Sequence, residues 1–206
     1  MSMMPMSQMR RRSFELSSFD HTLLRNKVFK IVKAKSFTSG EHLLASGRRS
    51  DYYLDMKPTM FDPEGIDGLA QMVLHRLAAI DIDYVGGMAV GAIPLVCAVS
   101  MRSNSAHKPL PGFFVRKEVK DHGTMKLIEG FASADALKGK RVAILDDVTT
   151  SGGSAMTAVE AATDAGATVV LVLSIVDREE GAAEFYQQKG IPFEWFFQAR
   201  EFKAAH

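Results

Sequence analysis

The segment at residues 167–177, ATVVLVLSIVD, is the feature that most constrains the fold of this chain. It is apolar almost throughout, so a strand formed by it has to be covered on both faces. Three shorter runs, YVGG, FFVRKE and AILDD, also have strand character, and stretches with helical periodicity separate the runs. This alternation predicts an α/β fold, a parallel β-sheet flanked by helices. Ligands bind at the carboxyl ends of the strands in such sheets, so the residues just after these runs are the informative ones.

The N-terminal part of the chain has a different pattern. Residues 20–35 have apolar side chains at helical spacing, with Asp20 as a candidate N-cap. Turn glycines and aromatic residues in 36–58 then predict a short antiparallel hairpin, and Asp62 is predicted to cap the next helix. We expect a flexible tail at 1–19 and a single domain at 20–206, with a small N-terminal hood at about 20–62 and a core at about 63–206.

Composition excludes several classes of function. The chain has 206 residues, 47% of them hydrophobic and 24% charged, which is enough to bury a sizeable core. A formal net charge of +1 predicts no nucleic-acid partner, and no apolar run approaches the roughly 18 residues needed to span a membrane. The single cysteine, Cys97, lies in an apolar run and is predicted to be buried. Because it has no partner for a disulfide within the chain, we expect a reducing, cytoplasmic location.

The stretch VAILDDVTTSGGSA, residues 142–155, is predicted to be a binding site for a phosphate and for hydroxyl groups. A strand at 141–145 leads into Asp146 and Asp147, and hydroxyl residues and two glycines follow before a helix begins. Converging backbone N–H groups at such a turn bind anions. The two carboxylates are suited instead to sugar hydroxyls or a divalent cation. The alternative is that these residues only cap the helix; no Walker A or dinucleotide-binding glycine motif is present.

A second polar stretch, FFVRKEVKDHGTMKLIEG at 113–130, has four basic residues within seven positions. They are Arg116, Lys117, Lys120 and His122. Such a loop can supply several charge-assisted hydrogen bonds to a diphosphate, and Gly123 offers a hinge. The alternative is a solvated surface loop without a ligand.

These stretches resemble a known family. VAILDDVTTSGGSA is similar to the phosphoribosyl diphosphate motif of type I phosphoribosyltransferases. The basic loop, the hood stretch SGRRSDYYLDMKP and the segment LSIVDREEG resemble orotate phosphoribosyltransferases, over roughly residues 20–190 in the same order. The chain departs from many bacterial members at Ala45 and Val90, where those members have lysine.

The resemblance implies a transfer of the phosphoribosyl group from phosphoribosyl diphosphate to orotate, giving orotidine 5′-phosphate and pyrophosphate in pyrimidine biosynthesis. The implied catalytic residues are Lys120, His122, Asp146 and Asp147. The implied contacts to phosphoribosyl diphosphate are these four with Arg116, Lys117, Val148, Thr149, Thr150, Ser151, Gly152, Gly153 and Ser154. The implied contacts to orotate are Thr150, Arg178, Tyr53 and Leu54. Lys57 and the backbone of 87–91 are expected near the diphosphate.

The resemblance further implies Mg²⁺ as the cofactor, without an expected side-chain ligand for the metal. It implies a homodimer in which the loop at 117–129 crosses to the active site of the neighbouring subunit. Two alternatives stay open. One is a phosphoribosyltransferase for a different base, and the other is a non-catalytic regulator that uses the same fold to sense a ligand.

Overall fold

A six-stranded sheet forms the centre of the protein in a computed structural model that describes residues 21–43, 47, 49–105, 108–117, 127–133 and 135–204. The order across the sheet is β5-β4-β3-β6-β7-β8. Five strands are parallel to one another, and only the short β5 is antiparallel to its neighbour. The strands are β3 (Tyr84–Met88), β4 (Gly112–Val115), β5 (Ile128–Glu129), β6 (Arg141–Thr149), β7 (Thr168–Asp177) and β8 (Phe193–Gln198). The predicted fold class, a parallel sheet flanked by helices, is confirmed.

Helices cover both faces of this sheet, as the apolar strands require. Along β6, Ala143 and Leu145 face one hydrophobic core, whereas Val142 and Ile144 face the other, because successive side chains in a strand point to opposite faces. The first core is closed by α1 (His21–Ser36), α3 (Pro63–Leu77), α4 (Ile93–Ser105) and α7 (Ala199–Ala204). The second is closed by α5 (Gly153–Asp164) and α6 (Ala182–Gln188).

The predicted hairpin is present as a separate two-stranded sheet. It consists of β1 (Phe37–Leu43) and β2 (Arg49–Leu54), which pair antiparallel, and a short helix α2 (Lys57–Met60) follows. Stacked aromatic rings attach this hood to the core: Phe37 lies 5.6 Å from Tyr52 and 5.8 Å from Phe202 between ring centroids. The hood is therefore held by α7 at the far end of the chain.

Local predictions have mixed outcomes. The Asp62 side chain caps α3 by accepting a hydrogen bond from the Gly65 backbone N–H at 2.8 Å, as expected. Asp20 lies outside the described residues. Cys97 is exposed, so its predicted burial is wrong: α4 buries Leu95, Val96 and Val99 instead, and residue 97 falls on the outer face of the helix. In the described part of the chain, no helix combines the length and apolarity that crossing a membrane requires.

We expect Gly86→Ala to destabilise the fold by about 1–3 kcal/mol, the usual cost of overpacking a core. A methyl group at Gly86 would overlap the ring of Phe113 on the neighbouring strand β4. Urea unfolding of the variant measures the loss. Adding Phe113→Leu should restore part of the lost stability by making room for the methyl group. If the double variant loses as much stability as the two single variants together, the proposed overlap between residues 86 and 113 is contradicted.

Candidate active site

The carboxyl ends of β3, β4 and β6 open into a cavity of about 660 Å³. This is the edge of the sheet at which the strand pattern predicted ligand binding. The cavity is lined by Met88, Ala89, Val90, Gly91, Ile93, Phe114, Arg116, Lys117, Asp146, Asp147, Val148 and Ser154. It therefore brings together the acidic pair, the basic end of β4 and the start of α5, which are far apart in the sequence.

The acidic pair lies within β6 and not after it, so the predicted end of the strand at residue 145 is wrong. Pairing with β7 continues through Val148–Val176 to Thr149–Asp177, because the buried β7 is long enough to extend β6 by four residues. In a strand, neighbouring side chains point to opposite faces. Asp146 thus points to the face covered by α5, and Asp147 points to the face covered by α4.

Each carboxylate has its own surroundings. Asp146 is buried, and its Oδ2 accepts a hydrogen bond from the Thr149 hydroxyl at 2.6 Å. Asp147 is half-buried beside the backbone at the start of α4, where a Cβ on Gly91 would lie 2.6 Å from Asp147 Oδ1. Gly91 thus allows the main chain to approach the carboxylate closely. The peptide bond between Ala89 and Val90, just before it, is cis.

Burial shifts both carboxyl groups towards the neutral form. Burial raises the pKa of Asp146 to about 7, and the nearby charge of Asp147 adds to this, whereas the Thr149 hydrogen bond opposes it. Burial also raises the pKa of Asp147, and the positive charge of Lys57 partly offsets the effect. A ligand that offers hydroxyl donors or a cation at this point would stabilise the ionised forms.

The turn after β6 leads directly into the N-terminus of α5. Gly152 is the N-cap of α5 and has a left-handed conformation, with φ of 89°. Its carbonyl oxygen accepts a hydrogen bond from the Tyr186 hydroxyl at 2.7 Å, which holds the turn against α6. The first N–H groups of a helix have no partner within the helix, and the helix dipole favours negative charge there. The exposed residues Thr150, Ser151, Gly153 and Ser154 lie around this point.

The basic end of β4 supplies cations to the same cavity. Arg116 and Lys117 both line it. Two contacts join the residues that flank the loop. The Arg116 backbone N–H donates to the Leu127 carbonyl at 2.9 Å, and the Arg116 guanidinium pairs with Glu129 at 3.1 Å. Lys120 and His122 lie outside the described residues, so their predicted roles stay predictions.

None of the predicted orotate contacts is among the residues that line the cavity. Arg178 follows β7, and its backbone N–H donates to the Thr149 carbonyl at 2.9 Å. Its Nε lies 2.9 Å from Glu180 Oε1, the local ion pair that sequence alone suggested, although the two are too poorly aligned to form a hydrogen bond. Tyr53 is 44% exposed, whereas the Leu54 side chain is buried in the core. Only the backbone of Leu54 is available to a ligand.

Sequence reasoning did not single out two residues of the group around Arg178, namely Tyr52 and Lys203. Tyr52 was passed over in favour of its neighbour Tyr53, although alternation within β2 places only the even-numbered side chain in the interior. Lys203 reaches the hood from α7. Of Tyr52 and Lys203, only Tyr52 could have been found from the sequence, because the alternation of side chains along a strand predicts which of two neighbouring residues is buried. Gly91 belongs to the 87–91 backbone that was expected near the diphosphate, and it lies against Asp147. Lys57, which was expected near the diphosphate, pairs with Asp55 at 2.7 Å and adds positive charge near Asp147.

The site fits a magnesium ion that is held chiefly by a substrate. Within the ranges that the structure describes, no cluster of three or more His, Cys, Asp or Glu side chains could hold a metal. Among the described residues that line the cavity, only Asp146 and Asp147 offer carboxylate oxygens. Mg²⁺ commonly takes one or two carboxylates together with waters and substrate phosphates, which matches this donor set.

The doubly covered parallel sheet, with two carboxylates at the end of one strand and a glycine turn into a helix, has the fold of the type I phosphoribosyltransferases. The orotate phosphoribosyltransferases of Rhodopseudomonas palustris strain BisB18 and Bradyrhizobium diazoefficiens are 47% and 48% identical to the chain, over 86% and 88% of it and 95% and 97% of their own lengths. The chain belongs to the orotate phosphoribosyltransferase family, and the predicted family and function are confirmed. No protein-family model matches it.

Solved structures agree with this assignment. Orotate phosphoribosyltransferase from Mycobacterium tuberculosis, in a complex with Fe(III) dicitrate, superposes with a TM-score of 0.75 at 32% identity, covering 87% of this chain and 98% of that one. The same enzyme with phosphoribosyl diphosphate gives 0.72 at 29% identity, covering 87% and 99%. An adenine phosphoribosyltransferase from Leishmania tarentolae shares the fold, with a TM-score of 0.62 at 16% identity over 84% of this chain and 88% of that one.

The ligand-free protein is expected to lose stability as the pH rises through the pKa of Asp146. This carboxyl titrates at about 7 when folded and at 3.8 in the reference state, so the folded protein binds more protons between these values. The free energy of unfolding then falls with rising pH, by at most about 4 kcal/mol. Asp146→Asn keeps an acceptor for Thr149 without titrating, so its stability should depend less on pH. Urea unfolding at about pH 5 and about pH 8 tests this; equal pH dependence in both proteins would contradict it.

Proposed function

We propose that this protein transfers the phosphoribosyl group to orotate with Asp146 and Asp147 orienting the ribose and the turn at 150–154 binding the 5′-phosphate. The observation that carries the proposal is the cavity that joins the acidic pair, the N-terminus of α5 and the cations after β4. A sugar that carries a phosphate at one end and a diphosphate at the other matches these three groups in charge and hydrogen-bonding character.

Positioning and charge stabilisation are the proposed sources of catalysis. In the reaction, the bond from ribose C1 to pyrophosphate breaks while a ring nitrogen of orotate forms the new bond to C1. Ionised Asp146 and Asp147 accept hydrogen bonds from the ribose hydroxyls and hold C1 in place. Arg116 and Lys117, with Lys120 and His122 from the loop, balance the negative charge of the departing pyrophosphate. Mg²⁺ bound to the diphosphate would neutralise part of the same charge.

The orotate side of the site is assigned to residues beside the cavity. Arg178 would bind the carboxylate of the base, since its planar guanidinium can donate two parallel hydrogen bonds to a carboxylate. The hydrogen bond from its backbone to Thr149 places it next to Thr150, which is proposed to contact orotate as well as the phosphoribosyl group. Tyr53 and the backbone of Leu54 would flank the ring from the hood.

The proposal also covers the domain organisation, the location and the oligomeric state of the protein. Residues 20–206 act as one domain after a short N-terminal tail, with the hood at about 20–62 and the core at about 63–206. The protein works in the cytoplasm, as the single cysteine suggests. It is a homodimer with shared active sites, in which the loop at 117–129 serves the neighbouring subunit and excludes water from the reaction.

The direct test of the reaction is loss of orotate absorbance with phosphoribosyl diphosphate and Mg²⁺ present. We expect turnover only when all three are supplied, and a chelator should abolish it until Mg²⁺ is restored. Adenine, guanine and uracil in place of orotate provide the control for base choice. Turnover of one of these bases in preference to orotate would overturn the proposal, and so would full activity in the chelator.

Mixing two inactive variants tests the shared sites. Lys120→Ala removes a loop cation, and Asp146→Asn with Asp147→Asn removes the acidic pair, so each homodimer should be nearly inactive. If the loop crosses, a heterodimer has one site with both defects and one with neither. A statistical mixture is half heterodimer, so about a quarter of all sites should recover. Activity that stays at the level of the parent proteins, with subunit exchange shown separately, would mean that each loop serves its own subunit.

A further inference from the structure

Tyr52 is in contact with two cations from different parts of the chain. Its side chain is 5% exposed and lies on the inner face of β2. The Arg178 guanidinium carbon lies 4.7 Å from the centre of the Tyr52 ring, and Lys203 Nζ lies 4.5 Å from the same centre. Both are within the range in which a cation is attracted to an aromatic ring, and this attraction is stronger where water is excluded.

The contact with Tyr52 matters for Arg178, because the buried Nε of its guanidinium is not held by a hydrogen bond. The side chain is 9% exposed, and its buried Nε has no hydrogen-bond partner although Glu180 Oε1 lies 2.9 Å away. The Glu180 carboxylate attracts the charge without defining the plane of the guanidinium. A carboxylate is bound bidentately only when that plane is correctly oriented. Among these contacts, the ring of Tyr52 is the rigid one.

Tyr52 is itself held from two sides. Within the hood, its ring stacks on Phe37 with centroids 5.6 Å apart, and its backbone pairs with Ser39 of β1. From α7, Lys203 Nζ lies 2.8 and 2.9 Å from the two carboxylate oxygens of Asp51, the residue just before Tyr52. The ion pair between Lys203 and Asp51 therefore holds α7 against β2, the strand that contains Tyr52.

We propose that Tyr52 is a positioning residue that orients Arg178 for the carboxylate of the base, and that α7 maintains this orientation through Lys203. The proposal rests on the proposed role of Arg178 in binding orotate. In this proposal, recognition of the base depends on the residues that would touch orotate and also on Tyr52 of the hood and on α7. The substrate feature that it concerns is the carboxylate alone, and the ribose and diphosphate are not involved.

Replacement of the ring supplies the main test. Tyr52→Leu should raise KM for orotate by about tenfold, the loss of a desolvated cation–aromatic contact, with KM for phosphoribosyl diphosphate and kcat changed less than about twofold. Tyr52→Phe keeps the ring and should stay within about threefold of the native KM. Competitive inhibition by uracil, a pyrimidine without the carboxylate, should be unchanged in both variants. A loss of affinity for uracil equal to that for orotate would overturn the proposal, since the ring would then support the hood in general.

Tyr84→Leu is the matched control, because Tyr84 is a half-buried tyrosine at the opposite end of β3. It should lower the melting temperature without changing the KM for orotate. A tenfold increase of KM for orotate in this control as well would show that KM only follows the stability of the protein, and would overturn the proposal.

If Tyr52→Leu does not fold, Lys203→Met replaces it. Lys203→Met should raise KM for orotate by about threefold, whereas Lys140→Met, which removes another surface lysine paired with an aspartate, should not. Equal values for both lysine variants would overturn the role of α7.

A double-mutant cycle separates this proposal from the assignment of Arg178. If Tyr52 acts through Arg178, Tyr52→Leu should have no further effect on KM for orotate in an Arg178→Met protein. An undiminished tenfold effect in that background would overturn the positioning role and leave the orotate assignment of Arg178 intact. If Arg178→Met alone leaves KM for orotate unchanged, the proposed function of Arg178 fails instead, and the positioning role fails with it.

Discussion

The pairing of β6 with β7 continues beyond the apolar run at 142–145, and the geometry of the candidate site depends on this extension. Hydrogen bonding to β7 holds Asp146 to Thr149 as a strand, so the two carboxylates point to opposite faces of the sheet. The same pairing brings the Arg178 backbone to the Thr149 carbonyl. The residues proposed to bind the ribose and those proposed to bind the base are therefore joined through one backbone hydrogen bond, and their separation is set by the spacing of two neighbouring strands.

Burial of these carboxylates would favour the ligand that the proposed function requires. Removing a carboxylate from water disfavours its charged form, so the pKa of Asp146 and that of Asp147 are both raised in the ligand-free protein. Hydroxyl groups and cations compensate for the lost solvation, and a phosphorylated sugar with a bound metal supplies both. The energetic cost of burying the acids thus becomes a preference for such a ligand. The surrounding cores, which are apolar on both faces of β6, offset that cost in the free protein.

The hood depends on residues near the end of the chain. Phe37 stacks on Phe202, and Lys203 binds Asp51 across 152 positions of sequence. Without α7, a two-stranded hairpin has little independent stability. Attachment to α7 gives β2 a defined position next to Arg178, so that residues far apart in the sequence surround the proposed contact to the base. The exposed face of α4, which includes Cys97, takes no part in this arrangement.

The sequence by itself determined the fold class and the family, and it predicted the edge of the sheet at which the cavity lies, because apolar runs, turn glycines and adjacent acids are local features. It also identified Asp62 as a helix cap, since a cap acts within four residues. Only the tertiary structure decided that β6 runs to Thr149, that residue 97 faces outward, and that Tyr52 and not Tyr53 meets Arg178. Each of these depends on a partner distant in sequence: the length of β7, the packing of α4 on the sheet, and the contact of α7 with the hood. A local sequence pattern does not identify such partners, because strand pairing and side-chain packing are stabilised by segments that lie far apart in the sequence and meet only in the folded protein.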